Sequence, residues 1–240
     1  MEGRIFALES MGLVDGPGIR AVVFLKGCRL RCRFCHNPDS FCGESGEWIT
    51  EEDLEARILR FRPYFERSGG GVTFSGGEPL LQKEFLTAML RRMKMAGIHT
   101  CIDTAGVGDG DYAELLSLTD LVLYDVKAID EDGYFRITGQ SMEQTERFQA
   151  AMRKAGVPAI VRQVVLPGVN DTDEYMEKLA LYVKEHIPTA IGVELLPYHK
   201  LGVHKYKKYG MEDPLKDVPQ MDKHRTNELQ KKHFDTFSKE

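Results

Sequence analysis

Residues 20–36, RAVVFLKGCRLRCRFCH, join an apolar run to a cysteine-rich loop, and the rest of the chain is read outward from them. Arg20 to Leu25 has the density of apolar and β-branched side chains expected of a strand in a covered parallel sheet. The loop behind it spaces its thiols Cys28-x3-Cys32-x2-Cys35. Three thiolates so placed hold three irons of a cubic [4Fe–4S] cluster and leave the fourth iron open, whereas four cysteines close a cluster that only passes electrons. An open iron is a place where a small molecule binds and is reduced. Zinc is the rival occupant, because Cys32, Cys35 and the adjacent His36 make half of a zinc site. Cys42 and Cys101 stand alone, however, and offer no second pair. Five cysteines in 240 residues, an odd number in a long chain, argue against a disulfide framework.

Downstream, strand-like apolar runs alternate with amphipathic helix-like runs, which predicts a parallel sheet with crossover helices. GVTFSG, HTCIDT, LVLYDVK, AIVRQVVLPG and IGVELLP follow RAVVFL as further strands. Thr50, with Asp53 three residues on, predicts a capping box and a helix to about Arg67 that ends at Gly69-Gly70-Gly71. Other helices are expected near 82–96, 111–118, 142–155 and 172–186. Six β/α units are too few for a closed eight-stranded barrel. They predict an α/β fold, an incomplete (β/α)6 TIM-type barrel open on one side. Residues 1–240 read as one domain, with the barrel over about 15–200 and a charged segment ending in a surface helix over 201–240.

With 42% apolar residues the chain can bury one sizeable core. Met1 to Ser10 lacks the basic start and apolar run of a signal peptide, and no apolar stretch reaches membrane-spanning length. A formal charge of −5 argues against nonspecific nucleic-acid binding. The expected setting is a reducing cytoplasm, without membrane or nucleic-acid partners.

In a β/α barrel the reacting groups belong at the C-terminal ends of the strands. Here the first predicted strand ends at the cysteines and the second at Ser75-Gly76-Gly77-Glu78-Pro79. The third ends at Asp103-Thr104 and the fourth at Asp125-Val126-Lys127. The fifth carries Arg162, and the sixth ends at Pro197-Tyr198-His199. Taken singly, Asp103 reads as a helix cap, Lys127 as solvated and His199 as a surface side chain. Agreement of all the strand ends on one rim favours a site. Gly76-Gly77 lets backbone come close to a ligand, with Glu78 beside it to orient a cationic amino group. Tyr124, also next to the rim, has no role that the sequence assigns.

The cysteine spacing together with GGE resembles the radical S-adenosylmethionine superfamily. LESMGLVDGPGIR, CHN, SGGGVTFSGGEPLL, GIHTCIDTAG and VELLPYHKLGVHKY resemble, more closely, its glycyl-radical-enzyme activating family, of the type serving pyruvate formate-lyase. The likeness runs from about Gly3 to Tyr209. It implies that Cys28, Cys32 and Cys35 bind a [4Fe–4S] cluster whose open iron takes S-adenosylmethionine. Phe34 would pack on the adenine with His36 beside it, and Gly76, Gly77 and Glu78 would meet the methionine amino group. Asp125, Val126, Lys127 and His199 fall at further cofactor positions. A monovalent cation is implied at Asp103, Thr104, Leu123 and Asp125, and contacts to a substrate peptide at Asp15 and Arg162.

The reaction so implied is anaerobic. One electron from reduced flavodoxin or a similar donor cleaves S-adenosylmethionine to methionine and a 5′-deoxyadenosyl radical, which takes hydrogen from a glycine of pyruvate formate-lyase. Activators that carry extra clusters have a ferredoxin-like insert after the first cysteine motif. Only 41 positions separate Cys35 from Gly76 here, with Cys42 the sole cysteine between. Arg29, Arg31 and Arg33 interleave with the cysteines, and Lys205, Lys207 and Lys208 form a second basic run. The arginine collar is expected to steer an acidic donor toward the cluster, the alternatives being solvated arginines or arginines that tune its potential. The competing readings are an activator of another glycyl-radical enzyme and a non-catalytic iron–sulfur electron carrier.

Overall fold

The computed structural model describes residues 1–44 and 46–235. Its strands are β1 (Glu2–Gly12), β2 (Arg20–Leu25), β3 (Glu47–Thr50), β4 (Gly71–Gly76), β5 (His99–Thr104), β6 (Leu121–Asp125), β7 (Ala159–Val165) and β8 (Ala190–Pro197). They form one sheet in the order β3-β1-β2-β4-β5-β6-β7-β8. From β2 to β8 every neighbouring pair is parallel. The expected open barrel is present, built on the six strands read from the sequence. β1 and β3 extend it as antiparallel strands that the sequence did not disclose. Irregular register in β1, between Ile5 and Ala7 and again between Glu9 and Gly12, breaks the alternation by which a strand is recognised.

The helices are α1 (Glu51–Leu59), α2 (Arg62–Ser68), α3 (Lys83–Met95), α4 (Ala113–Ser117), α5 (Glu131–Thr138), α6 (Glu143–Ala155), α7 (Asp173–His186), α8 (Val203–Lys208) and α9 (Lys223–Phe234). α3 buries Phe85, Leu86, Met89, Leu90 and Met93, the stripe of a helix with one face on a sheet. The single helix expected from Thr50 to Arg67 is two. Pro63 lies in the first turn of α2, where its missing N–H is harmless, and the chain bends just before it. Thr50 does cap α1, its hydroxyl accepting from the Asp53 amide at 3.1 Å, but the Asp53 carboxylate accepts from the Thr50 hydroxyl at 2.9 Å rather than from the Thr50 amide.

The C-terminal helix is docked, not free on the surface. Gln230 of α9 accepts from the Leu195 amide at 2.8 Å and donates to the Val193 carbonyl at 2.7 Å. It thereby covers the free edge of β8. Residues 236–240 of the expected C-terminal segment lie outside the described residues.

Parallel register also fixes which side chains face inward. Arg20, Thr73, Cys101, Leu121, Asp103, Leu123, Asp125 and Arg162 fall on one face of neighbouring strands. The β1–β2 turn bridges that interior. The Asp15 carbonyl accepts from the Thr73 hydroxyl of β4 at 2.6 Å, and the Val14 carbonyl accepts from Arg162 of β7.

Candidate active site

The polar strand ends meet around a cavity of about 230 Å³. Cys28, Cys32 and Cys35 all line it, with Phe34, His36, Gly76, Gly77, Glu78, Asp103, Thr104, Asp125, Lys127 and Arg162. Asp15, Leu123, Val126 and His199 lie outside its wall.

The cysteine loop hangs between α5 and α8. The Arg31 and Arg33 amides donate to the Thr138 and Ile137 carbonyls of α5, each at 2.9 Å. These belong to the last turn of the helix, where carbonyls lack partners inside it. From the other side the Tyr206 hydroxyl of α8 donates to the Cys35 carbonyl at 3.0 Å. Lys205 and Lys208 turn onto Asp39 at 2.7 and 3.9 Å, so much of the second basic run is engaged within the chain. Arg29 pairs with Asp109, Arg31 lies 4.3 Å from the Phe41 ring centre, and Arg33 donates to the Pro214 carbonyl.

Burial pushes the Cys28 and Cys32 thiols up to about 12, and raises Cys35 too. Thiolates become stable here only beside compensating positive charge, which iron provides. Among the described residues no three His, Cys, Asp or Glu side chains are grouped so that they could hold a single ion. Three thiols lining one cavity suit a cube of several irons. The Tyr134 hydroxyl, buried in the apolar cluster against which Cys28 and Cys32 pack, has no hydrogen-bond partner among the described residues. A donor without an acceptor beside two cysteines also fits an iron–sulfur group.

The Gly76-Gly77 pair makes its close approach to protein. A Cβ on Gly76, whose φ is +116°, would lie 2.4 Å from the Leu25 nitrogen. One on Gly77 would lie 2.0 Å from the Gly27 carbonyl oxygen. The exit of β4 therefore runs tight against the strand end that carries Cys28, with Glu78 N–H donating to the Gly27 carbonyl at 2.8 Å. The Glu78 carboxylate is buried and ties two strand exits together. It accepts from the Thr104 hydroxyl at 2.5 Å and from the amides of Ala105 and Leu80 at 3.0 and 3.2 Å. Burial raises it to about 7 in spite of those donors.

Across the cavity Asp103 accepts from the Ser75 hydroxyl at 2.7 Å and stands 3.9 Å from Arg162. Burial, then the Asp125 charge, raise it to about 6. Lys127 Nζ is 2.6 Å from the Asp125 carboxylate and 5.6 Å from the Phe34 ring centre. Burial opposes its charge, yet Asp125, Cys32 and Asp103 hold its pKa above the usual lysine range. The carboxylates expected to hold a cation thus already face Lys127 and Arg162. Leu123 packs with Cys101 and Leu121, while the Thr104 hydroxyl is turned to Glu78.

At the cavity mouth the His36 and His199 rings stack at 4.0 Å, and His36 Nε2 donates to the His199 carbonyl at 2.9 Å. The Val126 side chain belongs to the main apolar core, which leaves its backbone for the rim. Arg162 donates to Glu194 at 3.1 Å as well as to Val14. Burial raises the Asp15 pKa, against the nearby Arg162 and Arg20. Tyr124 faces away from the cavity, bonded to the hydroxyl of Thr145 and the amide of Gln149, both on α6. Its role is to join sheet and helix. Tyr134 was missed by sequence reasoning; Ser75, read there only as the start of the second strand's polar exit, shares a face with Thr73 by the two-residue period of β4.

The sequence profile of the Radical SAM superfamily matches residues 22–180. A pyruvate formate-lyase-activating enzyme of Clostridium pasteurianum is 52% identical over 229 residues, covering 95% of this chain and 96% of its own. The chain belongs to the pyruvate formate-lyase-activating family of the radical SAM superfamily. A protein of the same name from Staphylococcus epidermidis is 41% identical over 226 residues, 91% of this chain and 90% of that one. Among solved structures, a domain of the Bacteroides vulgatus pyruvate-formate lyase-activating enzyme superposes with a TM-score of 0.54 at 24% identity, over 68% of this chain and 92% of that one. Streptococcus suis SuiB bound to its precursor peptide SuiA reaches 0.63 at 20% identity, over 89% and 45%. At these identities the likeness speaks for the fold alone. Superfamily membership brings a [4Fe–4S] cluster and S-adenosylmethionine as cofactors and makes the chain a radical SAM activating enzyme. No helix among the described residues is long and apolar enough to cross a membrane.

Proposed function

We propose that this chain installs a glycyl radical on pyruvate formate-lyase under anaerobic conditions, in the cytoplasm, using one electron from reduced flavodoxin or a similar donor. The observation that carries the reading is the convergence of three desolvated thiols with the exits of the parallel strands on one cavity. Cys28, Cys32 and Cys35 would hold the cluster, and S-adenosylmethionine would lie along the rim. When bound, the two supply one-electron cleavage of the sulfonium to methionine and a 5′-deoxyadenosyl radical that removes hydrogen from a glycine Cα.

The chain's own work is positioning and exclusion of water. Phe34 and the stacked His36–His199 pair offer flat apolar surface for a purine. Backbone at Gly76, Gly77 and Val126 and the charges of Asp125 and Lys127 suit an amino-acid moiety. Glu78 acts on that site through the loops it ties. A monovalent cation at Asp103 and Asp125 would displace Lys127 or Arg162 from its carboxylate. Asp15 and Arg162 stand where an extended peptide could bond to both, beside a lateral groove of about 710 Å³. Hydrogen-atom removal leaves no charge to neutralise, so no acid or base is assigned.

The test is anaerobic incubation of the reconstituted chain with S-adenosylmethionine, a reductant and purified pyruvate formate-lyase. A glycyl EPR doublet on the partner, with 5′-deoxyadenosine formed in equal amount, is expected. Cleavage of S-adenosylmethionine without that doublet would assign the chain to another glycyl-radical partner. No cleavage at all would overturn the enzymatic reading.

A further inference from the structure

Tyr134 is 1% exposed, and its hydroxyl has no hydrogen-bond partner among the described residues. A buried hydroxyl left so costs about 1–3 kcal/mol, which phenylalanine would avoid. The residue lies on α5 one turn before Ile137 and Thr138, whose carbonyls accept the amides of Arg33 and Arg31. Those two arginines flank Cys32. The end of α5 thus holds the cysteine loop close to Tyr134. Cys28 and Cys32 accordingly pack against the apolar cluster of Tyr134, Leu30 and Met142.

The three sulfurs are not served alike. The Leu30 amide meets that of Cys28 and the Asn37 amide that of Cys35, whereas Cys32 meets the amide of its own residue. A neutral thiol is a poor acceptor of hydrogen bonds; an iron-bound thiolate is a strong one.

We propose that Tyr134 donates its hydroxyl to the Cys32 sulfur when that sulfur is bound to iron, and so tunes the reduction potential of the cluster. This rests on the iron–sulfur reading of the cavity. A donor on the sulfur stabilises the added electron and raises the potential. Tyr134 acts through Cys32 and is a positioning residue, not a catalytic one.

The experiment is a redox titration of the anaerobically reconstituted chain, Tyr134→Phe against the unaltered sequence, read by EPR of the reduced cluster. The variant is expected to show several-fold less reduced cluster at a fixed applied potential; a ten-fold loss corresponds to about 59 mV for one electron. Tyr175→Phe, on α7 and outside the wall of the cysteine cavity, should leave the potential where it was. An unchanged potential in Tyr134→Phe carrying four irons overturns the inference. Should that variant fail to take up four irons, 3-fluorotyrosine at position 134 keeps the ring and donates more strongly. It must then raise the potential, and no rise overturns the inference equally. Iron and sulfide content separates the two layers: an intact cube of unaltered potential removes only the Tyr134 role, whereas no cube in the unaltered chain removes the cluster reading with it.

Discussion

Glu78 illustrates how far a residue's identity and its work can diverge. The sequence singled it out beside the glycine pair, yet both its oxygens are occupied by Thr104, Ala105 and Leu80. Spacing along the chain discloses the carboxylate but not its partners, which come from the next strand exit. Its pKa of about 7 against an ordinary 4.5 carries a stability consequence. Between those values the unfolded chain has released a proton that the folded chain still holds, so stability falls as pH rises through the window. At about 1.36 kcal/mol per pH unit the loss is about 3 kcal/mol. Urea unfolding of the metal-free chain at pH 4.5 and 7 should contain that fall, together with smaller ones of the same sign from Asp103 and Asp15 and rises of opposite sign from His36, His99 and His199, whose pKa values burial lowers. Glu78→Gln should remove most of the Glu78 contribution; an equal slope in both chains would contradict the assignment. Legibility at this scale followed chemistry. The thiols were visible because few other roles suit them at that spacing, and Lys127 and Arg162 only because their strand ends agree with the others on one rim, while the Tyr134 phenol looked like an ordinary side chain.

The strands that carry the site were legible as elements because parallel strands covered on both faces are continuous apolar runs, as in RAVVFL and LVLYD. α5 was overlooked, although its signals are present. Asp130 caps it by accepting from the Gly133 amide at 2.7 Å, Glu131 and Asp132 fill its first turn, and Gly139 ends it in the left-handed region at φ +72°. An internal glycine and only eight residues weaken the helical pattern. The short helix nevertheless matters, since its last carbonyls hold the cysteine loop through Arg31 and Arg33. A Cβ on Gly139 would meet nothing within 4 Å, so Gly139→Ala tests the backbone alone. It should cost about 1 kcal/mol and speed hydrogen exchange at the Arg31 and Arg33 amides about five-fold. Unaltered exchange there would mean that the loop does not depend on the end of α5.

At the scale of the whole molecule, β1 and β3 on one side and α9 on the other flank a sheet that never closes, and a turn bridges its interior. The two antiparallel strands were hidden because their partners, not their own sequence, define them. Around the lateral groove Leu13, Val14 and Ile191 are exposed, an apolar rim on a chain of negative net charge. If the partner's glycine segment enters there, Leu13→Asp should raise KM for the partner several-fold and change kcat less; unchanged KM would move the entry elsewhere. The cysteine face differs in character, with Arg29, Arg31 and Arg33 around the loop. Reduction by an acidic protein donor should slow steeply with salt while reduction by a small neutral donor does not, and salt-independent rates with both would remove the steering role. Beneath the functional expectations lies the identity of the group that the three thiols hold. Anaerobic reconstitution with iron and sulfide, followed by EPR of the reduced chain with and without S-adenosylmethionine, tests it most directly. The account predicts a [4Fe–4S] signal that changes on addition of S-adenosylmethionine and is lost in Cys28→Ser, Cys32→Ser or Cys35→Ser. A chain that takes zinc in preference, or a cluster whose signal is indifferent to S-adenosylmethionine, would contradict it.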